Sequence, residues 1–265
     1  MTGTMSIVGI GPGLPEHLTQ AAHDRIVTAD AVIVSSLYQS FLESGDVLNP
    51  EDPDSPELIT SAQGEQTALA RTAFERVRAG EDIVHVSGGD PNVYGKSDLL
   101  FAIAAADGVD EIDIEVLPGV TAALGGAATL GAPLTSDFAV ISLSERHVAW
   151  TEIEQRLRAA TRAGFALAIY NGWRQLERAF GVIRDHRPET VPVAMLTDIA
   201  RGDEGRAPTG ESVATATLGS IPEAWLTRPT PGTTVIVGTE ATRVIEIAGR
   251  PRLVTPRGDF DVEEL

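Results

Sequence analysis

The stretch S-I-V-G-I-G-P-G-L at residues 6–14 decides the reading of this chain: an apolar run of strand length ends in a loop of three glycines and a proline. A strand is expected over residues 6–10. Glycine lets the backbone turn tightly and approach a bound group, and ligands of open α/β sheets sit beyond the carboxyl ends of strands. Further apolar runs at residues 31–34, 83–86 and 112–117 also read as strands. Between them, residues 19–29, 65–78 and 94–106 carry apolar side chains at helical spacing. Strand and helix in alternation predict a largely parallel sheet covered on both faces.

The pattern restarts after Pro118 and Gly119. A helix is expected over 121–130, then strand 138–143, helix 150–161, strand 165–170, helix 174–185 and strand 192–196, with late β-like runs at 212–217 and 234–237. We therefore expect two α/β domains, residues 1–117 and 118–265. Residues 43–63, acidic and interrupted by prolines, read as a surface loop.

Three glycine-bearing segments are candidate sites. The first, V-G-I-G-P-G-L at 8–14, is not a dinucleotide fingerprint, because G-x-G-x-x-G needs glycine where Leu14 stands, and Ser35 follows the next strand where a ribose-binding acid is wanted. A turn that merely reverses the chain is the alternative. The second, V-S-G-G-D-P-N-V-Y-G-K-S at 86–97, ends like a phosphate loop in Gly95-Lys96-Ser97, yet its first glycine is replaced by Asp90, whose carboxylate repels phosphate. Asp90 suits a ligand carrying hydroxyls or positive charge; an Asx turn or a helix cap is the alternative. The third, L-P-G-V-T-A-A-L-G-G-A-A-T-L-G-A-P-L at 117–134, gives a small-residue helix that either admits a ligand closely or packs tightly against its neighbours.

Composition removes several function classes. The 265 residues include 20 basic and 38 acidic ones, a net charge of −18, so duplex nucleic acid and anionic membranes are disfavoured partners. Lys96 is the only lysine. An acidic, lysine-poor surface is expected in a salt-rich, halophilic cytoplasm, where screening weakens like-charge repulsion; a GC-rich gene is the rival explanation. Cysteine is absent, which excludes disulfides and thiolate chemistry. No apolar run approaches the ~20 residues of a bilayer span, and a cytoplasmic location is expected. His17, His23, His85, His147 and His186 show no ligand spacing, so no protein-bound metal is expected.

Taken together, GIGPG at 9–13, SGGDPNVYG at 87–95, PGVTAA at 118–123, LGAPLTSDFAVISLSE at 130–145, IYNG at 169–172 and TPRGD at 255–259 resemble the tetrapyrrole (corrin/porphyrin) methylases. Within that family the chain is most similar to the precorrin-3B or cobalt-factor III C17-methyltransferases of cobalamin biosynthesis. The resemblance implies a methyltransferase that uses S-adenosyl-L-methionine, releases S-adenosyl-L-homocysteine, and acts on a tetrapyrrole with contraction of the ring. It implies two α/β domains with an intervening cleft, a cofactor site in that cleft formed by Pro12, Gly88, Gly89, Asp90, Val93, Thr121, Ala122, Asn171 and Ile199 or Ala200, and a homodimer. The polycarboxylate substrate calls for local arginines, for which Arg174, Arg201 and Arg206 are candidates. Asp90, Tyr94 and Asp137 are the titratable residues of the matched motifs, and the catalytic residue is left unassigned. Methylation at another precorrin position, diphthine synthesis and non-catalytic tetrapyrrole binding are the alternatives.

Overall fold

The computed structural model describes residues 2–44, 47–49, 51–61, 64–171, 175–201, 210–227 and 229–258. The chain divides into two compact units, Met1–Thr121 and Ala122–Leu265.

The first unit is a five-stranded sheet of β1 (Met5–Gly9), β2 (Ala31–Ser35), β3 (Glu57–Ser61), β4 (Ile83–Ser87) and β5 (Ile114–Leu117), in the order β3-β2-β4-β1-β5. Every pairing is parallel. Parallel strands need crossovers, supplied here by α1 (Gln20–Val27), α2 (Gln39–Ser44), α3 (Gln66–Arg78) and α4 (Ser97–Ala106). Because successive side chains point to opposite faces, Met5, Ile7, Ile33 and Ile83 pack with Phe74 and Val77 of α3 and Leu100 of α4. Val8, Val32, Val34, Val84 and Val86 pack on the other side with Ala22 and Ile26 of α1. Thr19 fixes the start of α1, its Oγ1 accepting the Ala22 N–H at 3.2 Å.

Two expectations are corrected here. The region 43–63 is not all loop: β3 lies in it, paired with β2 from Ala31↔Glu57 to Ser35↔Ser61. It is an edge strand whose Glu57 and Thr60 stay exposed, so it lacks the continuous apolar run that marks its buried neighbours. Residues 118–121, expected in the second domain, belong to the first unit.

The second unit holds α5 (Ala122–Leu130), β6 (Gly131–Ala132), β7 (Phe138–Ser142), α6 (Trp150–Arg162), β8 (Ala166–Tyr170), α7 (Leu176–Arg184), β9 (Pro192–Thr197), β10 (Ser212–Thr217), α8 (Glu223–Thr227), β11 (Thr233–Val237), β12 (Arg243–Ile247) and β13 (Arg250–Val254). Its main sheet runs β10-β9-β11-β8-β7. The helical crossovers do make β7, β8 and β9 point one way, but β11 inserts antiparallel between β8 and β9, and β10 adds antiparallel at the edge. The expected parallel sheet is thus mixed in this half. A small sheet, β12-β13-β6, completes the unit; the sequence pattern does not announce it, since β12 is exposed along its whole length. Ile153, Leu157, Phe180 and Ile183 of the helices close over Leu167, Ile169 and Val193.

Candidate active site

In the first unit, three loops leave the carboxyl ends of the neighbouring strands β4, β1 and β5, and main-chain contacts bind them together. Gly11 and Gly89 form an isolated bridge, with Gly89 N–H donating to Gly11 O at 2.8 Å and Gly11 N–H donating to Gly89 O at 3.2 Å. Asp90 ties in the third loop: Oδ1 accepts the Asn92 N–H at 2.8 Å and Oδ2 accepts the Gly119 N–H at 3.0 Å. The side chain therefore makes the Asx turn and adds a brace across 29 residues of chain. It does not cap α4, whose N-cap is Lys96.

Glycine is required where these loops touch. A Cβ on Gly119 would stand 2.2 Å from Gly89 O, and one on Gly9 would stand 2.7 Å from both Gly119 N and Gly89 O. Pro12 is buried beside them, Val93 is half-buried, and Thr121 is 8% exposed at the end of the third loop. Tyr38, which sequence reasoning passed over, stands against Gly88, where a Cβ would fall 2.3 Å from the phenol ring.

On the α3/α4 side of the sheet lies a buried polar group that joins Ser87 and Lys96 of the second motif to His85 and Ser61 outside it. His85 is 2% exposed, Ser61 2% and Ser87 1%, and His85 Nδ1, Ser61 Oγ, Ser87 Oγ and Lys96 Nζ have no hydrogen-bond partner among the described residues. Burial, with the Lys96 charge adding to it, pushes the His85 imidazole down to about 3. Burial also lowers the Lys96 ammonium from its ordinary value. The only lysine of the chain and a neutral histidine thus belong to this group.

In the second unit the candidate residues again follow strand ends. Asn171, directly after β8, has φ 55° and donates from Nδ2 to Ser142 Oγ at 2.9 Å. Tyr170, the last residue of β8, accepts the Ala123 N–H at its hydroxyl at 2.5 Å, near the start of α5. After β9, Asp198 has φ 47° and Ala200 φ 58°, and Ala200 N–H donates to Glu211 Oε2 at 2.9 Å. Ile199 and Ala200 are buried with Ala127, Leu196 and Ile236. Left-handed backbone at a non-glycine residue costs of order 1 kcal/mol or more and gathers at functional sites. Tyr94, with φ 53° in the second loop, is a further case.

Of the proposed substrate arginines, Arg174 and Arg206 lie outside the described residues. The Arg201 guanidinium meets the Asp198 carboxylate at 3.2 Å, with the two side chains 12% and 0% exposed. A buried acid thus holds this cation in place. Of the titratable candidates, Asp90 has both oxygens on backbone amides, Tyr94 is 54% exposed, and Asp137 is exposed with its main-chain carbonyl accepting the Ala166 N–H at 3.0 Å. Among the described residues no cluster of three or more His, Asp or Glu is arranged to hold a metal ion, and no helix is long and apolar enough to cross a membrane.

Comparison with known proteins carries the same chemistry. The family model of the Tetrapyrrole (Corrin/Porphyrin) Methylases matches residues 4–212. A Sinorhizobium sp. protein named Precorrin-3B C(17)-methyltransferase is 36% identical over 271 residues, covering 97% of this chain and 97% of its own. A Priestia megaterium Cobalt-factor III methyltransferase is 29% identical over 267 residues, 97% of this chain and 45% of that protein. Among solved structures, the methyltransferase CobJ matches with TM-score 0.80 at 25% identity over 96% of this chain and all of that one. The uroporphyrin-III C-methyl transferase from Thermus thermophilus, complexed with S-adenyl homocysteine, has the same fold, with TM-score 0.67 at 24% identity over 89% and 97% of the two chains. This chain belongs to the tetrapyrrole (corrin/porphyrin) methylases.

Proposed function

We propose that this protein methylates C17 of precorrin-3B or its cobalt counterpart, cobalt-factor III, with contraction of the macrocycle, as a step of cobalamin biosynthesis. The observation that carries the reading is the joining of three glycine loops through the Gly11–Gly89 bridge and the Asp90–Gly119 hydrogen bond, in a chain 36% identical over nearly its whole length to a protein named for that reaction. S-adenosyl-L-methionine, the proposed cofactor, supplies a methyl group on a sulfonium, and its product is S-adenosyl-L-homocysteine. Pro12, Gly88, Gly89, Asp90, Val93 and Thr121 of the first unit, and Ala122, Asn171, Ile199 and Ala200 of the second, are the residues we assign to holding it. The close packing of the first-unit loops, with no room for side chains at Gly9 and Gly119, supports a site built from main-chain atoms at these strand ends.

Transfer of a methyl group from a sulfonium to an electron-rich ring carbon needs alignment more than a protein nucleophile. Correct placement alone is worth up to about 7–11 kcal/mol of barrier. Asp90 acts as a positioning residue, keeping the second and third loops in register. Ring contraction also needs a proton moved; Tyr94 and Asp137 are the exposed titratable groups of the matched motifs. We further propose a cytoplasmic homodimer. The exposed apolar residues of β12, Val244 at 49% and Ile247 at 55%, support a protein contact there.

The deciding experiment incubates the protein with S-adenosyl-L-methionine and either precorrin-3B or cobalt-factor III and follows mass. Gain of one methyl group on either macrocycle is expected. Cofactor binding without transfer to either would reject the reading in favour of another methyl acceptor, and tetrapyrrole binding without cofactor binding would identify a carrier.

A further inference from the structure

Two segments 120 residues apart in sequence build an open-mouthed cavity at the surface of the second unit. Parallel pairing of β13 with β6 sets Leu253 beside Gly131 and Val254 beside Ala132. Hydrogen bonds continue the registration past the strands. Thr255 N–H donates to Ala132 O at 2.9 Å, Thr255 Oγ1 donates to Pro133 O at 2.7 Å, and Thr135 Oγ1 donates to Thr255 O at 2.6 Å. Thr255 is 1% exposed, so this junction is a fixed part of the unit. Next to it opens a cavity of about 320 Å³ lined by Thr135, Val254, Thr255, Pro256 and Arg257.

The lining has an apolar wall and one charge. Val254, Pro256 and the threonine methyls supply the wall. The Thr135 and Thr255 hydroxyls are directed to main-chain oxygens. Arg257 is exposed and forms no ion pair among the described residues, whereas Arg201 is held by Asp198 and Arg252 donates to Thr129 O at 2.7 Å. An exposed guanidinium beside apolar walls matches a carboxylate on a short hydrocarbon stem: the stem packs, and the planar fork takes both carboxylate oxygens. A chain of net charge −18 repels a polyanionic ligand over most of its surface, so recognition has to come from such local cations.

We propose that this cavity is a subsite for a carboxylate-bearing arm of the tetrapyrrole, with Arg257 as the residue that recognises it. The inference rests on the tetrapyrrole reading above and names where one part of that substrate is gripped.

The test titrates the full chain with uroporphyrin, a porphyrin octaacid, and separately with its octamethyl ester, following fluorescence, so that no turnover is required. Arg257→Gln is expected to weaken binding of the acid roughly tenfold or more, the usual loss for a charged hydrogen bond. It should leave the ester and S-adenosyl-L-methionine binding unchanged. Arg257→Lys should lie between, and Arg162→Gln, at the exposed end of α6, should match the parent. Equal affinity of parent and Arg257→Gln for the acid, or equal losses for acid and ester, would overturn the subsite. A parent chain that binds no S-adenosyl-L-methionine would instead overturn the methylation reading, while the acid-to-ester comparison still decides the role of Arg257.

Discussion

Asp90 and Gly119 are joined directly: the carboxylate Oδ2 accepts the Gly119 amide at 3.0 Å while Oδ1 holds the Asn92 amide of its own loop. One side chain thus governs two of the three loops at the strand ends. Charge-assisted bonds of this kind contribute about 1.5–3 kcal/mol. Asp90→Ala removes both and is expected to weaken S-adenosyl-L-methionine binding at least about tenfold, read by calorimetry. Asp90→Asn retains one acceptor oxygen and should fall between. Unchanged affinity in Asp90→Ala would remove the residue from the site's architecture.

The crowding at Gly119 leads to a sharper result. An added methyl would meet Gly89 O at 2.2 Å, a main-chain atom that cannot rotate away. Gly119→Ala is expected to displace the loops and abolish cofactor binding, with a loss of stability of about 1–3 kcal/mol, as for other overpacked sites. Gly181→Ala, whose added methyl meets nothing within 4 Å in the middle of α7, is the control and should bind as the parent does. Urea unfolding and calorimetry on both variants check this.

The buried His85 sets a pH dependence. Its folded-state value of about 3 lies below the ordinary 6.5. Between those values the unfolded chain takes up a proton that the folded one refuses. Stability should therefore fall as pH drops from about 6.5 towards about 3, by up to about 1.4 kcal/mol per pH unit. His85→Leu, which removes an imidazole without an Nδ1 partner among the described residues, should flatten this part of the profile. Lys96, also lowered by burial, contributes in the same sense at alkaline pH, where stability rises towards the ordinary lysine value; Lys96→Met should remove that rise. Urea midpoints across pH for the three proteins measure both slopes, and parallel profiles would show that neither group controls them.

The Asp198–Arg201 pair can be broken from either side. Asp198 is fully buried, so Arg201→Met removes the cation that offsets its charge and is expected to cost up to about 3–5 kcal/mol. Asp198→Asn keeps an acceptor for Arg201 and should cost less. Replacing both partners with apolar residues should recover part of the loss, and a double-mutant cycle on thermal unfolding gives the coupling. Additive effects in that cycle would show that the pair is not coupled.

Much of the fold follows from the sequence because its signals are local. The runs I-V-H-V-S at 83–87 and A-V-I-V-S at 31–35 are buried on both faces and read as parallel strands wherever they occur. The glycine loops are also legible, since G-I-G-P-G and S-G-G-D-P mark strand ends by backbone requirement alone. The edge strand β3 was hidden because half its side chains face water, and β11 looks like any apolar run until its partners make it antiparallel. Sequence identified the type of residue at each loop: glycine where the chain turns, and an aspartate with two possible uses. Tertiary structure added the brace from Asp90 to Gly119, set Arg201 on a buried acid, and placed Arg257 beside Thr135. Those choices depend on which distant backbone group ends within hydrogen-bond reach, a distance that sequence spacing does not specify.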